Sequence, residues 1–126
     1  MEVEWKTWQL SKPSRHKVAS VQMAREADMV LQHLGPQDRL VILDQQGRAF
    51  TSESLANWLG EQYQQGRGRL IFLVGGAYGL HPDLQNKAML KLKLSEFTFP
   101  HQLALLILAE QLYRALSIQE KLPYHH

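Results

Sequence analysis

The sequence predicts an α/β fold, with a mostly parallel sheet and helices on both of its faces. Two short, continuous apolar runs, 40–43 and 70–74, are typical of strands that are buried on both faces. Segments in which apolar residues recur every three or four positions alternate with these runs and predict helices. Strands and helices that alternate in this way form parallel sheets, because each helix crosses over the sheet to the next strand.

The first half of the chain begins with a predicted strand, helix and strand. Bulky residues alternate with charged ones over residues 2–10, which indicates a strand. A helical pattern runs over 18–34 and ends at Gly35, and the strand at 40–43 is closed by the polar residues 44–47.

A second helix is predicted after this strand. Polar residues from Thr51 to Ser54 offer amino-terminal caps, and the turn at Gly66 ends the helix. We expect its bulky apolar residues to point inward: Leu55, Trp58, Leu59 and Tyr63.

The second half predicts a strand at 70–74, a helix at about 82–92, a third strand at 96–99 and a long helix at about 102–120. The last helix carries more apolar surface than one side of a sheet can cover, which favours self-association. The candidates for buried or dimer-facing residues are Trp58, Leu103, Leu106, Ile107 and Leu116.

Length and composition narrow the class of protein. At 126 residues, the chain is expected to form one domain that spans 1–126. It has no cysteine, no signal-like start and no apolar run of roughly 18 residues, so we expect a soluble, cytoplasmic protein that does not bind a membrane. The net charge of +2 and the pI of about 9.0 permit an RNA partner but do not indicate one.

A glycine loop follows the strand at 70–74, at the edge where open parallel sheets bind ligands. Gly75 and Gly76 allow the backbone to come close to a ligand, and Gly79 permits a further turn. The loop is either a ligand site or a tight strand-to-helix turn, and its spacing differs from the GxGxxG dinucleotide fingerprint. His101 would lie beside the same crevice, as a catalyst or as a helix cap.

The end of the chain is polar and aromatic. Glu110 and Arg114 lie four positions apart and could form an exposed helical ion pair. Tyr124, His125 and His126 follow, but adjacent histidines do not have the spacing of metal ligands. No metal site is therefore expected.

Four segments, taken in order, carry a resemblance to a known family. They are Gly-Gly-Ala-Tyr-Gly-Leu at 75–80, Thr-Phe-Pro-His at 98–101, Glu-Gln-Leu-Tyr-Arg-Ala at 110–115 and Pro-Tyr-His at 123–125. With them the chain resembles the RlmH-type SPOUT methyltransferases, which methylate N3 of a pseudouridine in large-subunit ribosomal RNA. The resemblance implies an α/β knot, with a carboxy-terminal trefoil knot, and a homodimer that acts on the ribosome.

The resemblance also implies a cofactor and a set of site residues. S-adenosylmethionine would lie in the knot, with its adenine among apolar side chains. The residues implied to bind it are Leu43, Gly75, Gly76, Gly79, Ser95, Glu96, Phe97, Thr98, Phe99 and Pro100. The residues at positions that would hold the target RNA, in a site shared between subunits, are His101, Arg114, Tyr124 and His125.

The chain departs from the family's pattern at three places. Family members usually begin with a further strand and helix, and they carry proline where Ala77 stands and arginine where Leu105 stands. These departures leave open a catalytically inactive, shortened or engineered knotted homodimer of the same fold. A third interpretation is a plain RNA-binding module, which draws on the basic residues Lys12, Arg15, Lys17, Arg67 and Arg69.

Overall fold

The computed structural model describes residues 19–66, 68–75 and 79–125. The helices in these ranges are α1 Ala19–His33, α2 Ser52–Gln65, α3 Pro82–Lys87 and α4 His101–Gln119. The strands are β1 Arg39–Ala49, β2 Leu70–Leu73 and β3 Leu90–Lys93. The strand predicted at 2–10 lies outside the described residues.

The described strands form a parallel sheet in the order β2-β1-β3, with the apolar start of β1 at its centre. Successive side chains of β1 point to opposite faces. Val41 packs with buried residues of α2 and α4, whereas Leu40 and Ile42 pack with buried residues of α1 and with Leu84 of α3. The predicted parallel sheet with helices on both faces is therefore confirmed.

The amino terminus of α2 is fixed by the predicted cap. Thr51 Oγ1 accepts a hydrogen bond from the backbone N–H of Ser54 at 3.0 Å, and Ser54 Oγ accepts one from the N–H of Thr51 at 2.9 Å. This reciprocal pair satisfies two donors that a helix start leaves without partners. Inside the helix, Trp58 is buried and its ring contacts the rings of Phe50 and Phe72.

The inward orientation predicted for Tyr63 is wrong, because this side chain is 64% exposed. The side chain of Gln119, the last residue of α4, donates to the carbonyl of Ala56 at 2.6 Å, so the carboxyl end of α4 lies beside the first half of α2. Helix α4 ends at Gln119, so Tyr63 extends beyond the surface that α4 covers.

Two predictions in the second half are also wrong. The helix expected at 82–92 ends at Lys87, and residues 90–93 form β3 instead. Leucines and lysines alternate in β3, so that its side chains follow the period of a strand and Leu92 is 3% exposed. The strand expected at 96–99 is a loop, since β3 already pairs with β1 on that side.

Strand β1 does not end at residue 43 as predicted but continues to Ala49 through an irregular stretch. Leu43 and Arg48 both align with Leu92 of β3, so the residues between them bulge out of the ladder. We call residues 44–47 the β1 bulge. Gly47 ends it against β3, where an added Cβ would lie 2.5 Å from the carbonyl oxygen of Lys91.

Candidate functional site

An open crevice of about 130 Å³ lies between the β1 bulge, the end of β3 and the loop before α4. Its walls are mainly apolar, and the polar groups come from the bulge and from Thr98. The lining residues are Leu43, Asp44, Gln45, Leu92, Leu94, Phe97, Thr98, Phe99 and Ala104. Four of the predicted cofactor-binding residues are thus brought together in one place, namely Leu43, Phe97, Thr98 and Phe99.

A side-chain bridge joins the two sides of the crevice. Gln45 Nε2 donates to Thr98 Oγ1 at 3.2 Å and lies 3.5 Å from the carbonyl oxygen of Phe97. The β1 bulge therefore supports the loop that carries both residues. Sequence reasoning missed Asp44 and Gln45, because it treated the bulge as the end of a strand.

The remaining predicted residues of this loop do not line the crevice. Ser95 Oγ accepts a hydrogen bond from the backbone N–H of Phe97 at 3.0 Å, and Glu96 forms an ion pair with Lys93 at 2.7 Å. Pro100 is the residue before α4 and is exposed. These residues belong to the loop and help to fix its shape, but their side chains do not line the crevice.

Phe97 stands out on the rim of the crevice. Its side chain is 77% exposed, although it is large and apolar. An aromatic ring that faces solvent above apolar walls offers a stacking surface to a flat ligand.

The glycine loop reaches the same region through His101. Nδ1 of His101 lies 2.6 Å from the carbonyl oxygen of Gly75. Since a carbonyl oxygen only accepts, Nδ1 carries a proton, and Nε2 is the acceptor whenever the ring is neutral. Ala104, one turn further along α4, lines the crevice. The predicted proximity of His101 and the glycine loop is thus confirmed for Gly75.

The described glycines of this loop are required for different reasons. An added Cβ on Gly75 would lie 2.9 Å from Cγ of Leu80, so that close packing excludes a side chain. Gly79 has φ +81°, and no atom lies within 4 Å of an added Cβ, so that backbone conformation alone favours glycine. Gly76, together with Ala77, lies outside the described residues.

The other three predicted RNA-binding residues form a second group near the far end of α4. We call this group, Arg114, Tyr124 and His125, the terminal cluster. Arg114 Nε and Nη2 lie 3.0 and 2.8 Å from Glu110 Oε1, and this pairing raises the pKa of Arg114 above its ordinary value. Tyr124 donates to the same oxygen at 3.3 Å, and its ring lies 5.0 Å from the Arg114 guanidinium carbon. The helical ion pair expected between Glu110 and Arg114 is thus present, within a larger cluster.

His125 links this cluster to α2. Its Nδ1 lies 3.0 Å from Arg114 Nη1, and its Nε2 lies 2.7 Å from Glu53 Oε1. The hydrogen bond from His125 is the main cause that lowers the pKa of Glu53 below its ordinary value. Sequence reasoning missed Glu53, because an acid in the first turn of a helix is explained by the helix dipole alone.

The two groups of predicted residues are far apart within one chain. His101 begins α4 and Arg114 lies near its other end. At 1.5 Å per residue, roughly 20 Å of helix separates them. One copy of the chain therefore does not bring all four residues to a single small target.

The described part of the chain offers little support for a metal site, a membrane-spanning helix or a plain RNA-binding surface. Within 19–66, 68–75 and 79–125, no group of three or more His, Asp or Glu side chains could hold a metal ion. Helices long and apolar enough to cross a membrane are likewise absent from these ranges. Of the basic residues behind the RNA-binding interpretation, Arg69 is described and is paired with Asp38 at 2.7 Å, and the others lie outside these ranges.

Comparison with known proteins gives a consistent result. The family described as "Predicted SPOUT methyltransferase" matches residues 1–125. A Phocaeicola vulgatus protein named "Ribosomal RNA large subunit methyltransferase H" is 42% identical over 105 residues, which cover 83% of this chain and 67% of that protein. Proteins with the same name from Desulfovibrio desulfuricans and Rhizobium johnstonii are 44% and 43% identical over 103 and 112 residues. These matches cover 82% and 89% of this chain and 66% and 70% of those relatives, so the chain spans about two thirds of their length.

Proposed function

The chain belongs to the SPOUT methyltransferase family, and on this premise we propose that it is an enzyme that methylates large-subunit ribosomal RNA. We propose S-adenosylmethionine as the methyl donor and N3 of a pseudouridine as the acceptor. The observation that carries this proposal is the apolar crevice lined by Thr98 and Phe99, whose motif also brings His101 within 2.6 Å of Gly75 in the glycine loop. Since ribosomes are cytoplasmic, we expect the protein to act there.

The chemistry of the crevice fits the proposed cofactor. Leu43, Phe99 and the exposed ring of Phe97 would cover an adenine, and the Gln45 amide and Thr98 hydroxyl offer polar contacts at the rim. The backbone at Gly75 and Gly79 would contact the remainder of the molecule. When bound, S-adenosylmethionine supplies an electrophilic methyl group, and the protein's part is to align it with the acceptor nitrogen.

Target binding is assigned to the remaining residues of the motifs. His101 would use its Nε2 as an acceptor toward the base, because its Nδ1 is engaged with Gly75. Arg114, with Tyr124 and His125 beside it, would bind a phosphate or a base carbonyl. The long separation of the two groups along α4 supports a homodimer, in which one copy supplies the cofactor site and the other supplies the terminal cluster.

We further propose that the whole chain is one knotted domain, as the resemblance to the family implies. The proposal rests on the family match, and the hydrogen bond of His125 with Glu53 brings the end of the chain beside the start of α2. An experimental structure traced through residues 90–125 tests this, and a segment that does not pass through a loop of the chain would refute it.

The central experiment measures cofactor binding and methyl transfer with the same protein. We expect S-adenosylmethionine to bind in a calorimetric titration, and labelled methyl groups to reach ribosomes that lack the modification. Phe97→Ala should weaken cofactor binding by roughly fivefold to tenfold, because it removes a stacking surface. Tyr63→Ala is the matched control, since Tyr63 is also an exposed aromatic residue, at 64%, but is remote from the crevice.

Three outcomes would count against the proposal in different ways. A folded protein that does not bind the cofactor would favour the inactive alternative. Cofactor binding without methylation of ribosomes would refute the substrate. Equal effects of Phe97→Ala and Tyr63→Ala would refute the assignment of the crevice.

A further inference from the structure

We infer that Glu53 is a positioning residue for the end of the chain. Its carboxylate holds the His125 imidazole in one tautomer and one orientation, and through it the Arg114 guanidinium. The inference rests on the proposed function, because it gives this chain of contacts a role in binding the RNA target.

The hydrogen-bond partners determine the tautomer of His125. A guanidinium group only donates, so the Nδ1 that lies 3.0 Å from Arg114 Nη1 must accept. The ring is then neutral with its proton on Nε2, which donates to Glu53 Oε1 at 2.7 Å.

A second route of hydrogen bonds links the same turn of α2 to the same guanidinium. Ser52 Oγ donates to Gln111 Oε1 at 2.7 Å, and Gln111 Nε2 donates to Glu110 Oε2 at 2.9 Å. The other oxygen of Glu110 accepts from Arg114, as described above. The first turn of α2 therefore holds Arg114 from two sides, through Glu110 and through His125.

This arrangement leaves part of Arg114 available for a substrate. The guanidinium has five N–H donors, and its contacts with described residues use three of them, two with Glu110 and one with His125. One N–H group on each of Nη1 and Nη2 remains, and such donors suit a phosphate or a base carbonyl. Because Glu53 fixes His125, the guanidinium is oriented before the substrate arrives, which reduces the cost of ordering it on binding.

Nuclear magnetic resonance of 15N-histidine-labelled protein tests the contact without cofactor or ribosome. We expect a slowly exchanging Nε2–H signal from His125, assigned by its loss in His125→Gln. Glu53→Ala should remove this signal, because solvent exchange then reaches the ring. Glu53→Gln should retain it, because the amide oxygen still accepts, and Glu61→Ala, which changes an exposed acid elsewhere on α2, should leave it unchanged. A signal that survives in Glu53→Ala, or is missing from the wild-type protein, would overturn the contact.

Methylation kinetics test the positioning role. In Glu53→Ala we expect kcat/KM for ribosomes to fall by roughly threefold to tenfold, mainly through KM, with recovery in Glu53→Gln. Full activity of Glu53→Ala would overturn the role. A wild-type protein that shows the imidazole signal but methylates no ribosome would instead refute the proposed function, so the two failures can be told apart.

Discussion

At the scale of the residue, Asp38 shows how one carboxylate can join separate segments. Its side chain is 6% exposed and accepts hydrogen bonds from the backbone N–H groups of Gly35 and Arg69, both at 2.8 Å. The Arg69 guanidinium adds an ion pair at 2.7 Å. The hydrogen bond from the Arg69 side chain is the largest of the causes that hold the pKa of Asp38 well below its usual range.

The low pKa of Asp38 predicts an acid-dependent contribution to stability. The folded state binds the proton more weakly than the unfolded state, so the stabilisation is present above the unfolded value of about 3.9 and is lost as pH falls toward the folded pKa. Asp38→Asn should lower the free energy of unfolding by about 1–2 kcal/mol at pH 7, and by less at pH 3. Urea unfolding at both pH values measures this.

The control for this prediction is Asp28→Asn, which changes an exposed carboxylate on α1. It should alter stability by less than about 0.5 kcal/mol. An Asp38→Asn effect that is equally large at both pH values would show that the stabilisation does not depend on the charge of the carboxylate.

At the scale of the element, the start of α2 combines a structural cap with contacts of the terminal cluster. The cap residue Thr51 comes directly before Ser52, which contacts Gln111 in the middle of α4, and Glu53, which contacts His125 after the end of α4. The position of Arg114 therefore depends on how well this first turn of α2 is ordered.

Removal of the cap should destabilise the protein modestly. Thr51→Ala deletes the hydroxyl that accepts from Ser54, and we expect the free energy of unfolding to fall by about 1 kcal/mol. Thr51→Ser keeps the acceptor and should stay within a few tenths of a kcal/mol of the wild type. Chemical denaturation measures both variants, and equal losses would show that the hydroxyl does not carry the effect.

Elements could be predicted from the sequence where the apolar pattern was long or where a second signal, such as a cap, accompanied it. Helix α2 combined caps with a repeated spacing, and its prediction was confirmed apart from Tyr63. Strand β3 spans only four residues, and over so short a stretch the apolar spacing of a strand cannot be distinguished from that of a helix. The sequence analysis therefore missed it. The β1 bulge was missed because a polar stretch after an apolar run also describes a turn.

The site could be predicted only in part, for a related reason. The resemblance identified four of the residues that line the crevice and the three residues of the terminal cluster, but local patterns do not show which distant segments meet. Glu53 and His125 illustrate this, since their contact depends on how α2 and α4 pack together. Such a contact is a property of the fold.

At the scale of the whole molecule, α4 leaves apolar side chains uncovered. Leu103 is 42% exposed, Leu106 is 65% exposed and Tyr113 is 54% exposed. Their spacing along the helix places them on a common face. Several large apolar side chains exposed on one helix face are typical of a surface that pairs with another copy or partner.

A charge on this face should prevent the proposed homodimer from forming. Burying an unpaired carboxylate at an interface is costly, so we expect Leu106→Glu to shift a dimeric protein to the monomer. Sedimentation equilibrium measures the mass. Met89→Glu is the control, because Met89 is also exposed, at 46%, but lies outside α4. A wild-type mass that stays monomeric at every concentration would refute the dimer itself.

The glycines at 47 and 79 differ in how readily evolution can replace them. At Gly79 the surrounding space is open and only the backbone conformation is unusual, which asparagine and aspartate also tolerate. At Gly47 any side chain would meet the main chain of β3, which cannot turn aside as a flexible side chain can. We therefore expect other residues to replace glycine at position 79 more readily than at position 47. The choice of residue is thus more constrained at position 47, although the backbone there does not have a positive φ.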